Sequence, residues 1–256
     1  MPFIVASAFA AWFGMNDIAS ARASFAEQAV IFQRRHNWIM CWLYTGTFGS
    51  FIGYSAGFPL LAKTQFPEIN ALTYAFLGPL VGALSRSLTG WVSDKYGGAR
   101  VTFWVFIGMA AGVVGVLYFL HARSWPGFFL MFLFLFLVSG VGNASTFQMI
   151  PAIMRKEIDR LMPRADATAR SREADKESAA IIGFTSAIAA YGAFFIPKAY
   201  GTSIGWTGQP DAALWAFLIF YASCIAITWW FYTRPGGLLY DIERGMTSRQ
   251  PAVKQA

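Results

Sequence analysis

Along the chain, long stretches almost free of formal charge alternate with short clusters of Lys, Arg, Asp and Glu. The apolar stretches cover about 3–16, 38–62, 70–92, 101–120, 127–154, 178–201 and 212–233, broken only by Arg86 in the third and Lys198 late in the sixth. All but the first reach the roughly 20 residues that a helix needs to cross a bilayer. Inside them the apolar residues run on continuously, as in "FFLMFLFLFLVSG" from Phe128 to Gly140. A barrel strand would alternate polar and apolar residues over about ten positions. The pattern therefore predicts seven helical spans, the first of them short. The opening "FIVASAFAAWF" has neither a basic leader nor a small-residue cleavage site, so it reads as the end of a helix rather than a signal peptide. The expectation is that the chain begins partway through a larger architecture. Of the polar clusters only Arg155–Lys176 is long, and it predicts a polar helix at the cytoplasmic surface.

Composition agrees with the pattern: of 256 residues, 56% are hydrophobic and 18% aromatic, and only 13% carry charge. That excludes an ordinary soluble domain. The cations are distributed unevenly. Alternate loops and the tail hold sixteen Lys and Arg (Arg22, Arg34, Arg35, Lys95, Arg100, the seven from Arg155 to Lys176, Arg234, Arg244, Arg249 and Lys254). The opposite side holds three, Lys63, Arg123 and Lys198. Basic loops stay in the cytoplasm, so the C-terminus is expected there. The net charge of +7 is then a topology signal, and nucleic acid need not be invoked. Cys41 and Cys224 both lie in spans without metal-ligand spacing, and read as packing residues.

Arg86 stands eight residues before Asp94, about 12 Å along a helix, too deep for snorkelling alone to bring its charge to water. A central arginine costs about 2.5–3.5 kcal/mol on insertion scales, so it calls for a partner. Gly78, Gly82, Arg86 and Gly90 recur every four residues, which predicts one close-packed face with the guanidinium directed into the bundle. A structural arginine bonded to carbonyls or to a carboxylate is the simpler reading. All thirteen acidic residues, however, fall in loops or at span ends. An anionic ligand is the better partner, and parallel guanidinium donors suit a planar oxyanion.

Three other spans offer walls for such a site. Tyr44, Phe48, Phe51 and Ser55 form an aromatic stripe at helical spacing, which packing alone also produces. In "GVGNASTFQMIP" Ser139, Asn143 and Thr146 share a face and Pro151 follows. That set serves either as polar glue between helices or as the lining of a mobile cavity. Gly183 and Ser186 in "IIGFTSAIAAYG" allow a ligand near the backbone. A membrane enzyme needs paired catalytic groups or metal ligands inside the bundle, and no His, Asp or Glu constellation provides them. His36 and His121 lie near span ends and read as interfacial residues. A seven-helix photoreceptor would match the span count but not these features. No cofactor is implied.

"GWVSDKYGGAR", Gly90–Arg100, resembles the loop motif of the major facilitator superfamily. Together with "FGSFIGYSAGFPLLAKTQFP", "GPLVGALSRSLTGWVSDKYGGARVT", "GVGNASTFQMIP" and "GFTSAIAAYGAFFIPKAYG", it is similar to the C-terminal half of NarK-type nitrate/nitrite transporters. The likeness extends into the opening "AWFGMNDIASARASFAEQ" and so covers nearly the whole chain. It implies an all-α membrane protein, the C-terminal six-helix half of a major facilitator superfamily fold plus the end of the preceding helix. Residues 1–36 would be that helix end and a cytoplasmic linker, 37–233 the six-helix domain and 234–256 a cytoplasmic tail.

By the same resemblance Arg86 would be one of a pair of anion-binding arginines, Tyr44 and Phe48 would line the site, and Phe48 would stack on the planar ion. Asn143 lies in a family signature, and Gly183 and Ser186 flank the pocket. Gly90, Asp94, Lys95, Gly98 and Arg100 would govern opening rather than touch substrate. The second arginine and its aromatic counterpart would belong to the other half. The implied partners are nitrate, nitrite, the lipid bilayer of the bacterial inner membrane, and a separate N-terminal half or a second copy. The implied mechanism is alternating access, with the lack of an intramembrane acid or histidine favouring exchange over proton coupling. A non-transporting remnant or subunit is the alternative.

Overall fold

A computed structural model describes residues 2–15 and 28–248. Arg22, Arg249 and Lys254, used in the charge map above, lie outside the described residues. Helix α1 (Pro2–Gly14) buries none of its side chains. Helix α2 is built of three consecutive runs, Arg35–Tyr44, a π-helical turn Thr45–Gly49, and Ser50–Gln65. There follow α3 (Leu77–Leu88), α4 (Gly90–Tyr96), α5 (Gly98–His121) and α6 (Trp125–Leu161). The chain continues through α7 (Ala167–Ala190), α8 (Gly192–Thr207), α9 (Asp211–Thr228, extended by a π turn Trp229–Thr233) and α10 (Tyr240–Ser248). Among the described residues there is no strand.

Local chemistry sets several of these boundaries. Pro126 occupies the first turn of α6, where its missing N–H costs nothing. The Asp166 side chain accepts from the Ala169 amide at 3.0 Å and starts α7. Gly208, at φ 73°, ends α8 in the left-handed region.

Four helical segments are long and apolar enough to cross a membrane: Gly98–His121, Trp125–Leu161, Ala167–Thr207 and Asp211–Thr233. This makes the chain a multi-pass, all-α membrane protein. The seven expected spans are therefore realised unevenly. The first is 13 residues long and the second is interrupted by the π turn. The third breaks at Thr89 into α3 and α4, and the sixth breaks at Tyr191 into α7 and α8. The Arg155–Lys176 segment forms no helix of its own; its two ends belong to α6 and α7, joined over residues 162–166. Pro151 stands inside α6, which continues ten residues beyond it.

Lipid gives helices no hydrophobic reason to associate, so close packing and small residues hold the bundle together. A column of rings from Tyr54, Phe58, Phe66, Trp125, Phe128, Phe132 and Phe136 fills the space between α2 and α6. On α3, Gly78 lies against the Phe136 ring, and Gly82 lies 3.0 Å from the Phe136 carbonyl, measured from where a Cβ would stand. A Cβ on Gly140 of α6 would strike the Ser85 hydroxyl and the Gly82 carbonyl. The buried stripe of α3 is thus Gly78, Gly82 and Ser85. Arg86 is displaced to its side and exposed, and the helix break at Thr89 removes Gly90 from that face. The four-residue spacing had placed Arg86 on the packed face; Ser85 takes that position instead.

Candidate functional site

The geometry centres on the Tyr44 hydroxyl. Tyr44 sits in the last turn of the first run of α2, 2% exposed. It donates to Asn143 Oδ1 on α6 at 2.8 Å, and its ring stacks on Phe48 with centroids 5.2 Å apart and planes 20° from parallel. The same hydroxyl is within hydrogen-bonding contact of Ser186 on α7 and in the field of the Arg86 charge. The structure therefore brings Tyr44, Phe48, Asn143 and Ser186 together from three helices, with the exposed Arg86 of α3 acting on the Tyr44 hydroxyl through its charge alone. Gly183, one turn before Ser186, is exposed, and a Cβ there would meet nothing within 4 Å. It borders open space and touches none of the others. Among the described residues no carboxylate pairs with Arg86.

Around this cluster the polar residues of α6 face inward. Thr146 is hydrogen-bonded to Thr47 at 3.0 Å and Ser145 to Thr102 at 2.8 Å, while Ser139 returns its hydroxyl to the Phe136 carbonyl. Of the aromatic stripe, Phe51 turns away to meet the edge of Phe136, and Ser55 bonds back to the Phe51 carbonyl. These side chains read as glue, whereas Asn143 serves both the seam and the cluster. An open concavity of about 590 Å³ lies elsewhere, lined by Pro197, Lys198, Gly201, Thr202, Gly205 and Trp206 of α8. A single helix forms its wall, so it encloses no ligand. Among the described residues no group of His, Cys, Asp and Glu is arranged to hold a metal ion.

The Gly90–Arg100 segment is held by a residue that sequence reasoning missed. Asp94 and Lys95 are exposed on α4, with Lys95 Nζ 5.2 Å from the centre of the Tyr96 ring. Gly97 has φ 93°, open to glycine at little cost, and a side chain there would collide with Glu243. Glu243 of α10, 3% exposed, accepts from the Ala99 amide at 2.7 Å and the Arg100 amide at 3.2 Å. These are amides of the first turn of α5, which lack partners within their own helix. Burial pushes the Glu243 carboxyl up to about 7, against the pull of both amides and of the Arg100 charge. The one available signal was an acid placed among Leu238, Leu239 and Ile242 in an otherwise polar tail.

A second missed pair lies at the start of α2. Arg34 Nε donates to Glu177 Oε2 at 2.8 Å, with a further bond from Nη2 to Oε1. His36, expected at an interface, is half-buried and hydrogen-bonded to the Tyr232 hydroxyl at 3.0 Å. His121 faces Asp211 at 3.1 Å.

Fold and cluster together define a helical membrane protein with an uncharged polar cluster between apolar helices and an exposed cation on α3. Over 242 residues the chain is 50% identical to the nitrate/nitrite transporter NarU of Salmonella typhimurium, covering 91% of this chain and 52% of that relative. It is 48% identical to NarU of Escherichia coli, over 91% of this chain and 52% of the relative. To the probable nitrate/nitrite antiporter NarK2 of Thermus thermophilus it is 37% identical, over 92% and 50%. No protein-family model matches. At these identities the chain belongs to the NarK-type nitrate/nitrite transporters, and it spans about half the length of the curated relatives it matches.

Proposed function

We propose that this chain supplies the C-terminal half of a transporter that moves nitrate and nitrite by alternating access. The observation that carries the reading is Arg86: a permanent cation whose charge reaches the Tyr44 hydroxyl, itself bonded to Asn143 and with its ring stacked on Phe48, and with no carboxylate for a partner among the described residues. A planar oxyanion completes that arrangement. The guanidinium gives it two parallel donors, and Phe48 offers a flat face. Gly183 leaves room at the edge. Arg86 lies exposed at the rim of the described bundle, which supports a site closed by a second half.

Residues 1–36 serve as helix end and linker, 37–233 as the transporting domain and 234–256 as a tail, with the C-terminus in the cytoplasm, where the basic loops place it. Gly90, Asp94, Lys95, Gly98 and Arg100 act on opening rather than on binding. The anion neutralises Arg86 and allows one half to rock against the other. Exchange of nitrate for nitrite is favoured over proton coupling, because the cluster has neither acid nor histidine.

The second reading is a subunit or remnant that does not transport by itself. Exchange of labelled nitrate for nitrite in proteoliposomes tests both readings, comparing the chain alone with the chain joined by the N-terminal half of a relative. Exchange by the chain alone supports assembly from copies. Exchange only with the added half supports the half-transporter, and none in either case overturns transport.

A further inference from the structure

We infer that Arg34 and Glu177 are positioning residues for the anion site, their paired side chains setting the separation of α2 and α7 at the level of Tyr44 and Ser186; the inference rests on the anion-site reading above. The contacts between α2 and the α7–α8 pair keep a constant register. Arg34 meets Glu177, Gly49 meets Gly192, Gly53 meets Ile196 and Gly57 meets Tyr200, each pair 143 positions apart, while Tyr44 meets Ser186 at 142. Helices that keep one offset over so many turns run parallel and side by side. The pair Arg34–Glu177 therefore lies below Tyr44–Ser186 by nine residues on α7, about 13.5 Å, with Arg34 standing just before the first turn of α2.

The two ends of this seam are held differently. Above the cluster the contact is backbone on backbone: Gly192 lies against the Gly49 carbonyl, and a Cβ on Gly53 would stand 2.6 Å from the Gly192 carbonyl. No side chain stands between the two backbones there. Below, the seam depends on side chains, the ion pair together with Phe184 edge-on to Phe32 and Trp38. Between the ends both partners are interrupted, α2 by its π turn at Thr45–Gly49 and α7 by its end at Tyr191. Gly183 fills nothing. The lower fastening is thus what fixes how far Ser186 stands from Tyr44.

Glu177 is 2% exposed and Arg34 19%, so the pair is shielded from water. Other charges act on it: Glu157 of α6 and Glu173 of α7 both face Arg34. Arg160 acts on Glu157 in turn.

The test uses this full chain in nanodiscs with nitroxide labels at Gln33 and Ala179, both exposed, and pulsed electron resonance to read their separation. Arg34→Gln and Glu177→Gln are expected to broaden and lengthen the distance distribution, and the exchanged pair Arg34→Glu with Glu177→Arg to restore it. Unchanged distributions in both single variants overturn the inference, as does a failure of the exchanged pair to restore a folded wild-type distribution. Nitrate binding by the chain assembled with an N-terminal half provides the second readout. A loss of about tenfold or more in the single variants is expected, since displacement of about 1 Å can be that costly, with recovery in the exchanged pair. Undiminished affinity despite a widened seam refutes the positioning role. A wild-type assembly that binds no nitrate refutes the anion site itself, while the distance measurement still decides the clamp.

Discussion

Replacing Glu243 tests how the Gly90–Arg100 loop is held. Its carboxylate caps α5 from another helix, because the residue at the usual capping position is Gly97, which has no side chain. Glu243→Ala strands the Ala99 and Arg100 amides, each at a cost of about 1–3 kcal/mol where water cannot replace the partner. Ionisation works against the contact. A carboxyl raised from 4.5 to about 7 gives up roughly 3 kcal/mol of docking free energy when ionised, at about 1.4 kcal/mol per unit. Since the docked value lies above the free one, this contribution is complete below about 4.5 and disappears as pH rises through about 7. Docking of α10 should therefore be tighter at acidic pH.

Hydrogen exchange followed by mass spectrometry on the peptide spanning Gly97–Arg100, corrected for intrinsic rates, reads this directly. In the wild type those amides should be up to about a hundredfold more protected at about pH 5 than at about pH 8. Glu243→Gln should show intermediate protection with no pH dependence, and Glu243→Ala little protection at either pH. Protection that increases with pH, or a pH dependence that survives in Glu243→Gln, would refute the reasoning.

Arg86→Lys keeps the charge but loses the planar fork, so nitrate affinity in the assembled transporter should fall, and fall further than in Phe48→Ala; equilibrium binding checks both. Gly140→Ala places a methyl group against the Ser85 hydroxyl and the Gly82 carbonyl and should cost about 1–3 kcal/mol. Gly183→Ala, facing open space, should cost nothing; thermal unfolding in one detergent compares the two.

The helices were legible because membrane insertion imposes a length and an apolar run that any window along the chain reveals. Their interruptions were not. The break at Tyr191 and the π turn at Thr45–Gly49 fall where the Gly49 and Gly192 backbones meet, a contact between distant positions that no window along the chain reveals. The candidate site was legible through chemistry that stands out in lipid, one arginine and one asparagine in apolar runs. The hydrogen bond that brings Asn143 to the Tyr44 hydroxyl, and the stacking of Phe48 on the Tyr44 ring, come from the fold. Ser85, rather than Arg86, faces α6 because its hydroxyl fits between the Gly82 and Leu137 carbonyls, at 2.9 and 3.0 Å. Periodicity alone could not separate two adjacent positions on one helix.

By itself, then, the sequence determined a multi-pass helical protein, its apolar stretches, its charge asymmetry and the residue types of its candidate site, all properties of local composition set against a bilayer. The tertiary structure decided which acids are paired. Glu177 and Glu243 read as ordinary loop and tail carboxylates, yet one is bound to Arg34, 143 residues away, and the other caps α5 at Ala99, 144 residues away. No local pattern encodes such pairings, because the free energy of a buried carboxylate depends on the donors that the folded backbone brings to it.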